Sequence, residues 1–132
     1  MCKIGDIILI DRYEDNHKIL RRHSFIVIED NNGMVEGMPY DMICNVLSSF
    51  KGEKQKTRKL SYPGNFPVAN NDTITNPDNG LDGYVKTDQL YYFNKSKITY
   101  KVIGYIEPDI LNLIFQYIEE SDFEIIQVTD NL

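Results

Sequence analysis

Residues 3–33, KIGDIILIDRYEDNHKILRRHSFIVIEDNNG, decide how the chain folds. Asp6-Ile7-Ile8-Leu9-Ile10-Asp11 and Ser24-Phe25-Ile26-Val27-Ile28 are short, β-branched and bounded by turn residues, which favours strands over helix turns. Residues 12–23 between them carry Arg12, His17, Lys18, Arg21, Arg22 and His23. A core does not accept so many charged donors, so the stretch reads as a polar loop with enough positive charge to hold a phosphate.

Downstream, Asp30-Asn31-Asn32-Gly33 signals a hairpin, because Asn and Gly tolerate the positive φ of a tight connection. Residues 34–38 would return antiparallel, with Gly37 marking a bulge or bend. MICNVLSS at residues 42–49 is a further buried run, ending in the hydroxyls of Ser48 and Ser49. Pro63 and Pro67 allow only an edge or interrupted strand around residues 60–68. Residues 70–83 are loop by composition; their Asp and Asn lack the order and the distal Glu of a calcium loop.

Residues 84–87 and 90–93 read as strands meeting near Asp88-Gln89, and residues 98–106 as the last clear strand. Glu107-Pro108-Asp109 opens a helix, with Pro at its first position and acid at the positive end of its dipole. Ile110, Leu111, Leu113, Ile114, Tyr117 and Ile118 then recur at helical spacing, predicting a face that packs on the sheet. Phe123, Ile125, Ile126 and Val128 add a strand or a second short helix. About seven short strands and one amphipathic helix predict a mainly β fold, a small antiparallel barrel with a C-terminal helix.

The 132 residues predict a single domain over 1–132, with a core at about residues 3–120 and a tail at about 121–132. A net charge of −6 argues against a protein that coats nucleic acid non-specifically. KGEKQKTRK at residues 51–59 nevertheless sets five positive charges against one Glu, and reads equally as a surface for a polyanion or as a loop kept soluble by lysine. Cys2 and Cys44 form no C-x-x-C pair and join no ligand cluster, which predicts a reduced cytoplasmic setting and no metal or cofactor. No signal core and no membrane-length apolar run is present, so no membrane partner is expected.

The Gly5-Asp6-Ile7 start of the first strand, the basic stretch after it, the buried Val27-Ile28-Glu29-Asp30-Asn31 strand end and the terminal amphipathic helix resemble the MazF/PemK/Kid toxin family, over residues 3–120. The resemblance implies an SH3-like barrel of the CcdB/MazF/Kid kind. It also implies a homodimer that cuts single-stranded RNA without a metal, leaving 2′,3′-cyclic phosphate and 5′-hydroxyl ends, and a cognate small acidic antitoxin that covers the same surface. The substrate slot would lie at the dimer interface, lined by residues 12–24 and Ser48.

Family members supply an arginine before the second strand and a hydroxyl at the end of the central strand. Here the matching positions are Arg22 or His23, and Ser48, where relatives commonly have Thr. Relatives read Arg-Pro, whereas this chain reads Arg21-Arg22-His23-Ser24. Counting back without a gap from Ile28-Glu29-Asp30 puts His23 at the arginine's place, and a one-residue adjustment restores Arg22.

The resemblance thus casts Arg22 as the charge clamp, His23 as the group that moves a proton, Ser48 as the residue that orients the phosphate and His17 as a second candidate base. Arg21, Lys51, Lys54, Lys56, Arg58 and Lys59 would guide the strand, Gln89 would bind a base edge or the backbone, and Tyr62 or Phe66 would stack bases. Taken singly, each has a plainer role: surface charge for Arg21 and Arg22, solvent-facing or locally satisfied ring for His17 and His23, strand end for Ser48, turn closure for Gln89. The alternative is a non-catalytic barrel of the same class, a protein-binding module or a gyrase-inhibitor-like toxin.

Overall fold

The computed structural model describes residues 2–31 and 39–132. The turn expected at Asn32-Gly33 and the return expected at residues 34–38 lie outside the described residues. The first two strands, β1 (Asp6–Asp15) and β2 (Lys18–Asp30), are much longer than their apolar stretches predict. They pair antiparallel from Ile7↔Ile26 out to Asp15↔Lys18, so the basic stretch is a hairpin ribbon and not a loop. Its turn is Asn16-His17, with φ of 52° and 66°, the two positive values that a two-residue hairpin turn requires.

The distal ribbon is moored. Tyr91 Oη donates to Asp15 at 2.6 Å, and the His17 amide donates to Asp130 at 2.9 Å.

β3 (Met42–Ser49) pairs with β2, and the helix α1 (Glu53–Leu60) follows it where a basic loop is expected. β4 (Asn65–Val68) is the edge strand that its prolines predict, and β5 (Thr73–Thr75) lies within the expected loop. β6 (Gly83–Phe93) replaces the two separate strands expected there, and β7 (Tyr100–Ile106) precedes the helix α2 (Pro108–Glu119). The tail forms a strand, β8 (Ile126–Asn131). Among the described residues the eight strands make one sheet in the order β4-β6-β3-β2-β1-β7-β5, with β8 parallel to β6 off that path.

In the half-barrel sheet successive side chains of the same strand feed different cores, one on each face. Ile8, Ile10, Phe25, Val27, Met42, Cys44, Phe93 and Val128 fill the concave side. Ile7, Ile26, Val85 and Ile106 lie on the other face, where α2 covers them with Leu111 and Ile114. Burying Ile114 completely stabilises that contact by about 1.5–3 kcal/mol. Leu113, expected on this apolar face, is 48 % exposed instead.

β8 bridges the open side of the half-barrel. The Asn131 side-chain amide donates to the Glu14 carbonyl at 2.9 Å while its oxygen accepts from the Glu14 amide at 2.6 Å, reproducing with a side chain the exchange made between paired strands. Asn131→Ala removes both bonds and leaves the part-buried backbone groups of Glu14 unmatched. It is expected to destabilise the fold by about 1–3 kcal/mol in urea unfolding, with faster hydrogen exchange at the Glu14 amide.

Candidate active site

His23 lies near the rim of the curled sheet, where β2 passes β3. Its ring meets Tyr13 and Phe25 edge-on, with centroids 6.4 and 6.1 Å apart. Its Nε2 shares a hydrogen bond of 3.0 Å with Ser48 Oγ at the end of β3, the donor being fixed by the tautomer. Two of the residues expected at the site, distant in sequence, are therefore in contact. The aromatic wall removes water from the ring, and Lys86 and Lys51 add positive charge, so the imidazole pKa is lowered from its ordinary value.

The pair opens on a cleft of about 510 Å³ lined also by Arg22, Lys51, Gln55, Lys59 and Tyr84. Arg22 borders it while its guanidinium binds Asp11 at 3.1 Å, an ion pair exposed on both sides. Such a pair contributes only about 0–1 kcal/mol, so a phosphate can recruit the arginine at small cost. Lys51, Gln55 and Lys59 are spaced four apart, from just before α1 into its last turn, which puts them on one side, with Gln55 Oε1 accepting from the Lys51 amide at 2.7 Å.

The other expected basic residues separate. Lys54 and Arg58 border a different surface of α1, and Lys56 lies over the Phe50 ring at 5.6 Å. Arg21 pairs across the ribbon with Arg12, beside Arg22 but outside the cleft. His17 sits at the exposed ribbon tip, so the structure does not bring it to Ser48. Gln89 pairs with Ile126 of β8, and its carbonyl accepts from Asn45 Nδ2. Phe66 packs on Tyr117, with centroids 5.3 Å apart, while Tyr62 is 54 % exposed.

Sequence reasoning missed Lys86, Tyr84 and Gln55. The alternation of Gly83-Tyr84-Val85-Lys86 in a strand held a signal for Lys86, since one face of it had to meet β3 beside Ser48. Gly83 keeps that approach close: a Cβ there would lie 2.2 Å from the Ser48 carbonyl oxygen. Among the described residues no group of three His, Cys, Asp or Glu is placed to hold a metal ion, and no helix is long and apolar enough to cross a membrane.

Chemically, the arrangement offers a neutral imidazole, a hydroxyl oriented by it and several cations around an open cleft. Comparison with protein-family models and with curated proteins gave no match to this chain.

The lowered His23 pKa has a direct consequence. The unfolded chain binds a proton at the ordinary histidine value of about 6.5, while the folded chain resists it. His23 therefore contributes stability that is present above that value and is lost as pH falls toward the lowered one. An NMR titration should place the His23 midpoint below the ordinary histidine value of about 6.5, and Lys86→Ala should move it upward.

Proposed function

We propose that the protein is a growth-inhibiting toxin of the MazF/PemK/Kid kind, an SH3-like barrel that cleaves single-stranded RNA without a metal, acts as a homodimer and is restrained by a small acidic antitoxin. The observation that carries this reading is the 3.0 Å contact of His23 Nε2 with Ser48 Oγ at a cleft bordered by Arg22, Lys51 and Lys59. The half-barrel with a helix across one face is compatible with the expected barrel.

In the proposed reaction neutral His23 takes the proton of a ribose 2′-hydroxyl. The 2′ oxygen bonds to the adjacent phosphorus, the bond to the 5′ oxygen breaks, and the departing oxygen takes a proton from solvent in the cleft. Ser48 turns its hydroxyl from His23 Nε2, which is thereby free to act as the base, to a phosphoryl oxygen, and Arg22 leaves Asp11 to meet the charge that grows on phosphorus. A histidine already neutral below its usual range is suited to start as the base.

Arg12 and Arg21 stand opposite each other in the ribbon, a like-charge pair that costs stability unless an anion lies between them. This suits both RNA and the acidic segment of an antitoxin.

Purified protein is expected to cleave single-stranded RNA in EDTA and leave cyclic phosphate ends. His23→Ala should lower kcat by about 10²–10⁴, and the double variant Arg22→Ala with His23→Ala should be inactive. The wild-type rate should rise with pH and level off below the range usual for histidine. Full activity in the double variant would overturn the assignment, and no cleavage at any protein concentration would favour the non-catalytic barrel.

A further inference from the structure

The loop at residues 76–82 forms one wall of a second cavity, of about 430 Å³, which Arg22, Ser48 and Ser49 also line. It is held at both ends. The Asn76 amide donates to the Ile103 carbonyl at 2.8 Å, and the Asp82 carbonyl accepts from the Phe50 amide at 3.0 Å. Between those ties every residue is exposed. The loop carries the dipeptide Asn79-Gly80, with Gly80 at a φ of 69° and open space where a Cβ would stand.

Three hydrogen bonds meet at that dipeptide. The Gly80 amide donates to Asp78 Oδ1 at 2.8 Å, the Leu81 amide donates to Asn79 Oδ1 at 2.9 Å, and Asn79 Nδ2 donates to Ser49 Oγ at 3.1 Å. Each involves an atom that changes when a side-chain amide closes on the next peptide nitrogen: the nucleophile, the carbonyl oxygen and the leaving nitrogen. Glycine suits that closure, because it has no side chain to hinder the attacking nitrogen.

We infer that Asn79-Gly80 is a self-modification site, at which the fold promotes deamidation of Asn79 through Asp78 and Ser49. The Gly80 nitrogen bonds to Asn79 Cγ as its proton passes to the Asp78 carboxylate. The charge that grows on Asn79 Oδ1 meets the Leu81 amide, a donor already in place. In the tetrahedral intermediate Nδ2 is an amine with a lone pair, so its bond to Ser49 reverses and the hydroxyl donates to it. The Cγ–Nδ2 bond breaks and ammonia departs, while Ser49 regains a proton from Asp78 through solvent. Water then opens the succinimide at either carbonyl to give aspartate or isoaspartate, with no oxidant or cofactor consumed. The product adds one negative charge to the cavity that Arg22 borders.

Folded protein and a synthetic peptide of residues 76–83 are incubated side by side in neutral buffer, and conversion at position 79 is followed by peptide mass mapping. The peptide has the same dipeptide and the same Asp78 without the fold. Residue 79 should convert about 3- to 10-fold faster in the protein, less than a buried acid or base contributes because water competes at an exposed loop.

Asp78→Asn keeps an acceptor for the Gly80 amide but is a far weaker base, and should bring the rate down to that of the peptide. Ser49→Ala should lower it partway, with circular dichroism confirming both folds. Conversion in the protein no faster than in the peptide, or at the wild-type rate in folded Asp78→Asn, overturns the site. A loss in Asp78→Asn with none in Ser49→Ala keeps the site and removes the hydroxyl from it. RNA cleavage enters neither measurement, so the inference stands or falls apart from the nuclease reading.

Discussion

One buried amide holds the sheet in its curled shape. Asn45, fully excluded from solvent, donates from Nδ2 to the Lys86 carbonyl at 3.2 Å and to the Gln89 carbonyl at 2.9 Å. Around it the ladder between β3 and β6 jumps from Val46↔Lys86 to Cys44↔Tyr91, so residues 87–90 bulge out against a single residue of β3. Thr87 anchors the bulge, donating from both its amide and its hydroxyl to the Gly64 carbonyl. Before the bulge β6 pairs with β4, and from Gln89 within it onward with β8. The same bend sets Lys86 near His23 and brings Tyr91 and Phe93 into the concave core.

The site follows from that geometry and from the charge arrangement around it. An acidic chain gathers Arg22, Lys51, Lys59 and Lys86 about one histidine; burial does most to keep His23 neutral, and the charges of Lys86 and Lys51 add to it. Arg22 remains available because both it and its partner Asp11 are open to water. Aromatic rings fix the imidazole from the core side, leaving its Nε2 for Ser48.

Much of the sheet was legible because its strands bury side chains on both faces. Ile7-Ile8 and Phe25-Ile26-Val27 read as strands since each neighbour enters a different core. Pro108 opens α2 at its first turn, as the dipeptide before Asp109 implies. The contact of His23 with Ser48 was foreseen only through the family resemblance, since nothing in the spacing of residues 23 and 48 requires it. The distal ribbon escaped because its residues are mostly exposed, apart from Tyr13 and the half-buried Leu20, and a strand without a buried face loses its period-two signature. α1 escaped for the same reason: it buries no residue, although Glu53 at its start and Arg58 and Lys59 at its end match the helix dipole. The bulge at residues 87–90 answers to Asn45, far away in sequence, and local pattern cannot encode that.

The two ends of the sheet path carry a further meaning. β4 and β5 are its edge strands, only four and three residues long, and Pro67 in β4 has no amide hydrogen to offer. Neither margin presents a long enough row of unpaired backbone groups to template a strand from another molecule. Pairing with another sheet is thereby discouraged at these two margins.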